Sequence, residues 1–197
     1  MENKITGCVF DLDGTLADTA PDIAIALNNS LNDAGLRQVP LESVKEMIGN
    51  GIPVLVRRAL FHIEAPEDLA ADVITSMLAY SRKYYCEKSS LMHGVKDCLE
   101  GLKKRGIPMS ICTNKDETVA QMVVSALDLN SYFYAIVGSR PNLVKKPDPS
   151  MLQIAAEAIN SPMETTMMIG DSEVDAATCI AASSISVIVR GGYCHKP

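Results

Sequence analysis

The sequence predicts an α/β fold in which a parallel sheet is interrupted, after its first strand, by an all-helical segment. An apolar run at residues 5–10 ends abruptly in acidic residues and a glycine, as a buried strand does where it enters a loop. Residues 19–85 then show helical patterns and no convincing strand. From about residue 86 onward, short apolar runs alternate with helical patterns. That alternation predicts parallel strands joined by right-handed helical crossovers.

The helical segment begins with a long periodic stretch. Pro21 is a good first-turn residue, Leu27 and Leu31 lie on one apolar face, and Gly35 supplies a stop. Further helices are predicted at residues 41–48, 53–60 and 66–85. We therefore expect a helical domain at residues 19–85, inserted into a discontinuous α/β domain formed by residues 1–18 and 86–197.

The second half supplies the rest of the sheet. Helices are predicted at residues 95–105, 116–127, 151–159 and 174–182, and strands at 107–112, 135–137, 166–169 and 186–189. Asp148 and Pro149 are expected to cap and begin the helix at 151–159. The arrangement predicts a Rossmann-like sheet, in which ligands bind beyond the carboxyl ends of the strands, at the point where the strand order reverses.

Composition and charge narrow the functional classes. The chain has 197 residues, of which 47% are hydrophobic, and its formal net charge is −6. An acidic surface is a poor match for nucleic acid or an anionic membrane, and we expect neither as a partner. No apolar run is long enough to cross a bilayer, and the start of the sequence lacks a secretory signal, so we expect a cytoplasmic protein. The six cysteines follow no metal-binding or redox spacing, and we expect them to be reduced.

Acidic residues follow two of the predicted strands. Asp11 and Asp13 come after the first strand, and Asp171 and Asp175 after the strand at 166–169. Carboxylates gathered in one small volume repel one another and are costly to bury without a cation. The pattern predicts a divalent metal site, with Mg²⁺ as the natural ion because it prefers oxygen ligands and shares substrate phosphate oxygens. Two carboxylates of this kind can also cap a helix or face solvent, and the Asp-x-Asp pair alone is weak evidence.

Other strand-end residues have the chemistry to bind a phosphoryl group. Thr113 offers a hydroxyl, the backbone amides around Leu12, Asn114 and Gly170 can point at an oxyanion, and Lys146 supplies a positive charge. Phosphoryl transfer needs such groups because its catalysis is mostly positioning and electrostatic stabilisation. Of the two adjacent lysines we assign this role to Lys146 and interpret Lys145 as a solvated loop residue.

Four segments resemble the motifs of the haloacid dehalogenase superfamily, in order and in approximate spacing. They are Asp11-Leu12-Asp13-Gly14-Thr15-Leu16, Thr113-Asn114-Lys115, Lys146-Pro147-Asp148-Pro149 and Gly170-Asp171-Ser172-Glu173-Val174-Asp175. The helical segment is similar to the cap of the phosphoglycolate phosphatase group, through Asp18-Thr19-Ala20-Pro21-Asp22 and Ile48-Gly49-Asn50-Gly51-Ile52-Pro53-Val54-Leu55. One departure is Ala182-Ser183-Ser184, where the family usually has a helix-ending glycine, so we expect a less relaxed turn there.

The resemblance implies a role for each matching residue. Asp11 would be the nucleophile that forms an aspartyl-phosphate, and Asp13 would protonate the leaving oxygen and then activate water. Asp11, the backbone carbonyl of Asp13, and Asp171 would hold Mg²⁺, with Asp175 orienting Asp171 and the metal-bound waters. The phosphoryl group would be bound by Thr113, Asn114 and Lys146.

The resemblance also implies a small phosphorylated metabolite as substrate, and we expect 2-phosphoglycolate. Its carboxylate would be met by the amides of Gly49, Asn50 and Gly51, or by Arg57. Asp13 argues against the halide-displacing members, which lack this second aspartate. Two alternatives stay open: a phosphosugar mutase of the β-phosphoglucomutase type, and a non-catalytic binding protein on the same scaffold.

Overall fold

Seven strands and eight α-helices form the described part of the chain, residues 4–193 of this computed structural model. The strands are β1 (Gly7–Phe10), β2 (Ala17–Asp18), β3 (Ser90–Leu91), β4 (Met109–Asp116), β5 (Ala135–Ser139), β6 (Thr166–Gly170) and β7 (Ile185–Ile188). The helices are α1 (Ala20–Asp33), α2 (Leu41–Lys45), α3 (Ile52–His62), α4 (Ala70–Lys83), α5 (Val95–Lys104), α6 (Glu117–Ala126), α7 (Ser150–Glu157) and α8 (Glu173–Ala182). Short 3₁₀ turns lie at Glu67–Leu69, Asn130–Tyr132 and Met163–Thr165.

Five strands form one parallel sheet in the order β5-β4-β1-β6-β7. The chain moves outward from β1 through β4 to β5, then returns to the other side of β1 and adds β6 and β7. The order therefore reverses at β1, and the crevice beyond its carboxyl end is the expected ligand position. The predicted α/β fold with a Rossmann-like parallel sheet is confirmed.

Apolar residues from the two faces of the sheet pack into separate clusters. One face is covered by α5 and α6 around Phe10, Leu99 and Ile111, and the other by α7 and α8 around Val9 and Met168. β1 has all four residues buried, which is the pattern of a central parallel strand covered on both sides.

The inserted helices α1–α4 have an apolar cluster of their own. Among the described residues this cluster draws on positions 23–80, with Leu27, Leu31, Val56, Leu60 and Met77 almost fully buried. The division into residues 1–18 with 86–197 and residues 19–85 stays a prediction. None of the helices in the described part of the chain has the length and apolarity needed to span a bilayer.

The structure adds one feature that the sequence patterns did not predict. β2 and β3 pair antiparallel, with Ala17 opposite Leu91 and Asp18 opposite Ser90. These two-residue strands are too short to show periodicity. They bring together the two linkers that enter and leave the helical segment.

Three local expectations have a clear outcome. Pro149, expected as the first helical residue, is instead the N-cap position of α7, and the Asp148 carboxylate accepts a hydrogen bond from the Ser150 amide at 2.9 Å. The Ser183 turn is strained as expected, because its φ of 57° lies in the left-handed region that favours glycine. Cysteines 8, 86, 98, 112 and 179 are free thiols, whereas Cys194 lies outside the described residues.

Candidate active site

The carboxyl ends of the central strands bring most of the predicted site residues together. Asp11 follows β1, Asp171 follows β6, and Lys146 lies on the loop between β5 and α7. Thr113 and Asn114 belong to β4, which runs four residues beyond its predicted end. The register of β4 against β5 shifts between Cys112 and Asp116. Irregularities of this kind re-aim side chains at the end of a strand.

Lys146 is the buried cation of the site. Its side chain is 1% exposed, and its Nζ atom lies 3.0 Å from Asp11 Oδ1 and 2.7 Å from Asp175 Oδ1. Although burial opposes it, the carboxylates of Asp11 and Asp175 raise the pKa of Lys146 above its ordinary value. The ammonium also donates to the Cys112 carbonyl at 2.9 Å. Lys146 is therefore a fixed charge that neutralises part of the carboxylate cluster.

Asn114 holds the backbone of Lys146 in place. Its Oδ1 atom accepts from the Lys146 amide at 2.9 Å, and its Nδ2 group donates to the Lys146 carbonyl at 3.0 Å. The same Nδ2 group donates to the Gly49 carbonyl at 2.9 Å. Asn114 thus connects the strand end, the lysine loop and the helical segment. The described contacts give its side chain a positioning role rather than a free donor for a phosphoryl oxygen.

Asp11 lies in an environment that disfavours its charged form. Burial raises the pKa of Asp11 to about 7, with smaller contributions from Asp175, Asp171 and Asp13, while Lys146 acts in the opposite direction. Asp11 Oδ1 is buried and accepts no hydrogen bond, although the Lys146 ammonium is in ion-pair range. A buried carboxylate oxygen left in this state has capacity for a further partner.

Asp171 is held by two donors from distant parts of the chain. Thr15 Oγ1 donates to Asp171 Oδ1 at 2.9 Å, and the Tyr193 amide donates to Asp171 Oδ2 at 2.7 Å. Burial nevertheless raises the pKa of Asp171 above its ordinary value. Each carboxylate oxygen retains a lone pair for a cation.

Asp175 is occupied by protein contacts on both oxygens. Oδ1 pairs with Lys146, while Oδ2 accepts from the amide and hydroxyl of Ser172 at 3.1 and 2.6 Å, which forms a capping box at the start of α8. This pattern suits a residue that orients its neighbours more than a direct metal ligand.

The donor set fits a divalent cation. Carboxylate oxygens of Asp11, Asp171 and Asp175 lie within 4.8 Å of one another, and all three residues are buried. The Oδ1 atom of Asp11 favours such an ion, since it accepts no hydrogen bond and shares the Lys146 ammonium with Asp175, and a hard cation satisfies a carboxylate oxygen in this state.

Asp13 has a cationic partner that the sequence analysis did not single out. Lys115 Nζ lies 2.9 Å from Asp13 Oδ1, and both side chains are mostly buried. Thr19 Oγ1 donates to the same oxygen. Lys115 lies two positions after Thr113 in the strand, and the alternation of side chains along a strand was the signal that could have found it.

The helical segment closes the site with a mostly apolar wall. A cleft above Asp11 and Asp13 is lined on that side by Ile23, Ile48, Ile52, Leu55, Met77 and Tyr84. Gly49 and Gly51 also line it. Gly51 has φ 80°, and a Cβ atom there would lie 2.9 Å from Lys145 Nζ and 3.1 Å from the Asn114 carbonyl oxygen. This crowding, with the positive φ, explains the need for glycine.

Arg57 is not brought to the site. Its guanidinium is exposed, donates to the Pro53 carbonyl at 3.2 Å and lies 3.7 Å from Glu67. Arg58 is the arginine that lines a cleft with Asp11, and it donates to Asn50 Oδ1 at 2.9 Å. The helical periodicity of α3 separates these neighbours by about 100°, and the sequence did not indicate which of them faces the cleft.

Lys145 also differs from its interpretation as a solvated loop residue. It is half-buried against Gly51, and burial lowers its pKa. Lys146 is instead the lysine buried beside Asp11 and Asp175, and its role in binding the phosphoryl group stays a prediction.

Comparisons with known proteins agree with this geometry. A family model described as haloacid dehalogenase-like hydrolase matches residues 8–189. The chain belongs to this family. A phosphoglycolate phosphatase from Pseudomonas syringae pv. syringae is 36% identical over 192 residues, which cover 95% of this chain and 70% of that protein. One from Cereibacter sphaeroides is 36% identical over 193 residues, or 97% and 88% of the two chains.

A solved structure also resembles this haloacid dehalogenase-like hydrolase closely. The predicted phosphoglycolate phosphatase from Haemophilus somnus 129pt has a TM-score of 0.90 and 28% sequence identity, and the match covers 100% of this chain and 90% of that one. The family resemblance inferred from the four motifs is confirmed, as is the identification of the chain as a phosphatase.

Proposed function

We propose that this chain is a Mg²⁺-dependent phosphatase acting in the cytoplasm on a small phosphorylated metabolite, with 2-phosphoglycolate as its substrate. The observation that carries the proposal is Asp11, a buried carboxylate whose Oδ1 atom accepts no hydrogen bond and lies in ion-pair range of Lys146, within the acidic cluster at the strand ends. The names of the curated relatives support phosphoglycolate among small phosphate esters.

Asp11 is the nucleophile in this proposal. One of its oxygens attacks the phosphorus atom, the bond to the leaving oxygen breaks, and an aspartyl-phosphate forms on Asp11. Lys146 and the Thr113 hydroxyl stabilise charge on the phosphoryl oxygens, and Asn114 keeps the Lys146 backbone fixed. Fixed donors of this kind lower the barrier because they need no rearrangement during the reaction.

Asp13 moves the protons. Among the described residues, Lys115 and Thr19 both contact its Oδ1 atom, and Oδ2 is left to face the leaving group. In the first step Asp13 donates a proton to the leaving alkoxide, and in the second it takes one from the water that attacks the aspartyl-phosphate. The two contacts at Oδ1 hold the carboxylate in one orientation for both steps.

Asp11, the Asp13 carbonyl and Asp171 would hold Mg²⁺, while Asp175 orients Asp171 and the metal-bound waters. When bound, the ion neutralises the carboxylates and the dianionic phosphoryl group, so that the two can approach. Thr15 keeps Asp171 directed at the site through its 2.9 Å hydrogen bond.

Lys115 is the residue that we expect to recognise the substrate carboxylate. The wall of helices is mostly apolar, and Lys115 lines the same cleft beside Asp13. A carboxylate on the leaving group would accept a second hydrogen bond from this ammonium, which has three N–H donors, and could also meet the amides of Gly49, Asn50 and Gly51. Such contacts made to a part of the substrate that does not react are the usual source of selectivity.

A substrate panel tests the proposal. The purified protein with Mg²⁺ should hydrolyse 2-phosphoglycolate in preference to ethyl phosphate, which lacks the carboxylate, and should lose activity in excess chelator. We expect Lys115→Met to lower kcat/KM for 2-phosphoglycolate about tenfold more than that for ethyl phosphate, equivalent to about 1.4 kcal/mol.

Lys104→Met removes an exposed lysine from α5 and serves as the control, with both values unchanged. No hydrolysis of any ester with Mg²⁺, or full activity in excess chelator, would contradict the proposed function. Equal losses on both esters in Lys115→Met would refute only the role of Lys115.

A further inference from the structure

Tyr193 connects two parts of the molecule that lie far apart in sequence. It is 9% exposed and lies beyond β7, beside the carboxylate cluster. Its backbone amide donates to Asp171 Oδ2 at 2.7 Å. Its phenol oxygen accepts from the amides of Thr19 and Ala20 at 2.7 and 2.9 Å and donates to Asp18 Oδ1 at 2.7 Å. One residue therefore contacts an acidic site residue and the linker that enters the helical segment.

The phenol replaces a missing helix cap. Thr19 is the N-cap residue of α1, but its hydroxyl makes no capping bond and donates to Asp13 instead. The first amides of a helix need acceptors from outside the helix. Tyr193 supplies the acceptor for two of them. The hydroxyl of Thr19 is thereby left for the catalytic aspartate.

Close packing fixes Tyr193 against Asp171. A Cβ atom on Gly14 would lie 2.5 Å from Asp171 Oδ2 and 2.9 Å from Tyr193 Cδ2, and one on Gly192 would overlap the Asp171 carboxylate. The backbone before Tyr193 and the turn after β1 thus approach Asp171 from two sides. The Asp171 carboxylate is therefore in close contact with the backbone that leads into Tyr193.

Other contacts also hold the linker, including the bonds that the Leu16 and Ala17 amides donate to the Leu12 carbonyl. β2 and β3 pair over only two residues each, and the Met92 amide donates to the Leu16 carbonyl at 3.0 Å. Asp22, in the first turn of α1, accepts hydrogen bonds from Lys88 and Ser89, and the three bonds of the Tyr193 phenol act just before it, at residues 18–20. Through Thr19 they also bear on the orientation of Asp13.

We propose that Tyr193 is a positioning residue that couples the metal-binding carboxylate Asp171 to the entry of the helical segment. The coupling rests on the proposed function only in taking Asp171 as a metal ligand. Binding of Mg²⁺ at Asp171 restricts the motion of the Tyr193 backbone, whose amide is bonded to Asp171. The phenol of the same residue then restricts the motion of the amides of residues 19 and 20, which are bonded to it. Thermodynamic coupling between two sites is reciprocal, so a change that loosens the linker must also weaken Mg²⁺ binding.

Tyr193→Phe tests the coupling because it removes only the hydroxyl and keeps the ring and the backbone amide. Hydrogen exchange of the amides at residues 19 and 20 is followed in the full chain with and without Mg²⁺, and Mg²⁺ affinity is measured by calorimetry. We expect wild-type exchange at these amides to slow when Mg²⁺ is added. In Tyr193→Phe exchange should be about tenfold or more faster, its response to Mg²⁺ should be lost, and the Kd for Mg²⁺ should rise at least threefold.

Tyr132→Phe is the matched control. It removes a phenol that contacts Glu100, away from the acidic cluster, and should change neither measurement. We also expect kcat to fall fivefold or more in Tyr193→Phe but not in Tyr132→Phe. If the two variants are equally stable, this difference cannot come from general destabilisation and supports a positioning role for Tyr193. Exchange and Mg²⁺ affinity in Tyr193→Phe equal to those of the wild type would overturn the proposal.

Asp18→Asn provides a second variant if Tyr193→Phe does not fold. It weakens the bond that holds the phenol oxygen beside the amides of residues 19 and 20, and so loosens both accepted bonds. We therefore expect the same changes at smaller size, and wild-type behaviour there would equally overturn the proposal. The measurements need no substrate. Failure of the wild type to hydrolyse 2-phosphoglycolate would count against the proposed function and leave the coupling intact.

Discussion

At the scale of single residues, the site depends on charges that the fold holds close together. Asp11 is buried among three other carboxylates, and its pKa is raised to about 7 from an ordinary value of 3.8. Lys146 lowers this pKa but does not offset the effect of burial, which is the largest contribution. In the proposed mechanism this unfavourable burial of the Asp11 charge favours the binding of a cation and the reaction of Asp11 with a phosphoryl group.

Asp11→Asn is expected to stabilise the metal-free protein at alkaline pH. The folded state binds the Asp11 proton more tightly than the unfolded state, so wild-type stability falls as pH rises from about 4 to 7. The neutral amide avoids this loss. In urea unfolding with a chelator at pH 8, we expect the variant to gain about 1–3 kcal/mol, with the gain shrinking towards pH 4. A variant that is less stable than the wild type at pH 8 would contradict this electrostatic account.

At the scale of elements, the sequence predicted the strands and helices around the site within a few residues. The abrupt change from apolar to charged residues marks the ends of β1 and β6, because strands buried on both faces consist mostly of apolar residues. The residues that escaped prediction depend on tertiary contacts. Lys115 is recognised as a site residue only by its ion pair with Asp13. The orientation of α3 keeps Arg57 out of the site. β2 and β3 form only because the two linkers meet.

The junction of β6 and α8 should tolerate no added methyl group. A Cβ atom on Gly170 would overlap the Asp175 side chain, whose backbone is fixed by the capping box. We expect Gly170→Ala to lower the free energy of unfolding by about 1–3 kcal/mol.

Gly101→Ala is the matched control, since Gly101 lies inside α5 with open space around it. There we expect a gain of about 0.5–1 kcal/mol because alanine favours the helix. Equal effects of the two substitutions in chemical denaturation would show that backbone preference, not crowding at Asp175, decides the outcome.

At the scale of the whole molecule, the helical segment is attached through two linkers that are held by separate hydrogen bonds, one set from a residue beyond β7 and one from α1 itself. Tyr193 binds the entering linker, and Asp22 binds the returning one. Asp22 is buried, and its carboxylate accepts from the amides of Lys88 and Ser89 and from the Ser89 hydroxyl. A segment similar to the family cap was predictable from its helical pattern, whereas these attachments join residues over 60 positions apart and have no local signature.

Asp22→Ala should therefore destabilise the protein and expose the returning linker. Removing the carboxylate leaves two amides without acceptors, and we expect a loss of about 2–4 kcal/mol. Limited proteolysis should cut near residues 86–90 faster than in the wild type. Asp33→Ala, which removes an exposed carboxylate bonded to Ser76 and Tyr80, should cost less than about 1 kcal/mol and leave the cleavage rate unchanged. Similar results for both variants would argue against a special role for Asp22.

The most direct test of the proposed chemistry is to trap the phosphoryl group on Asp11. In Asp13→Asn, 4-nitrophenyl phosphate can still react because its leaving group needs no proton, while hydrolysis of the aspartyl-phosphate lacks its base. With Mg²⁺ we predict a burst of about one equivalent of nitrophenol per protein. Borohydride reduction followed by peptide mass spectrometry should then find homoserine at position 11. A burst without modification of residue 11, or with the modification on another residue, would contradict the assignment of Asp11 as the nucleophile.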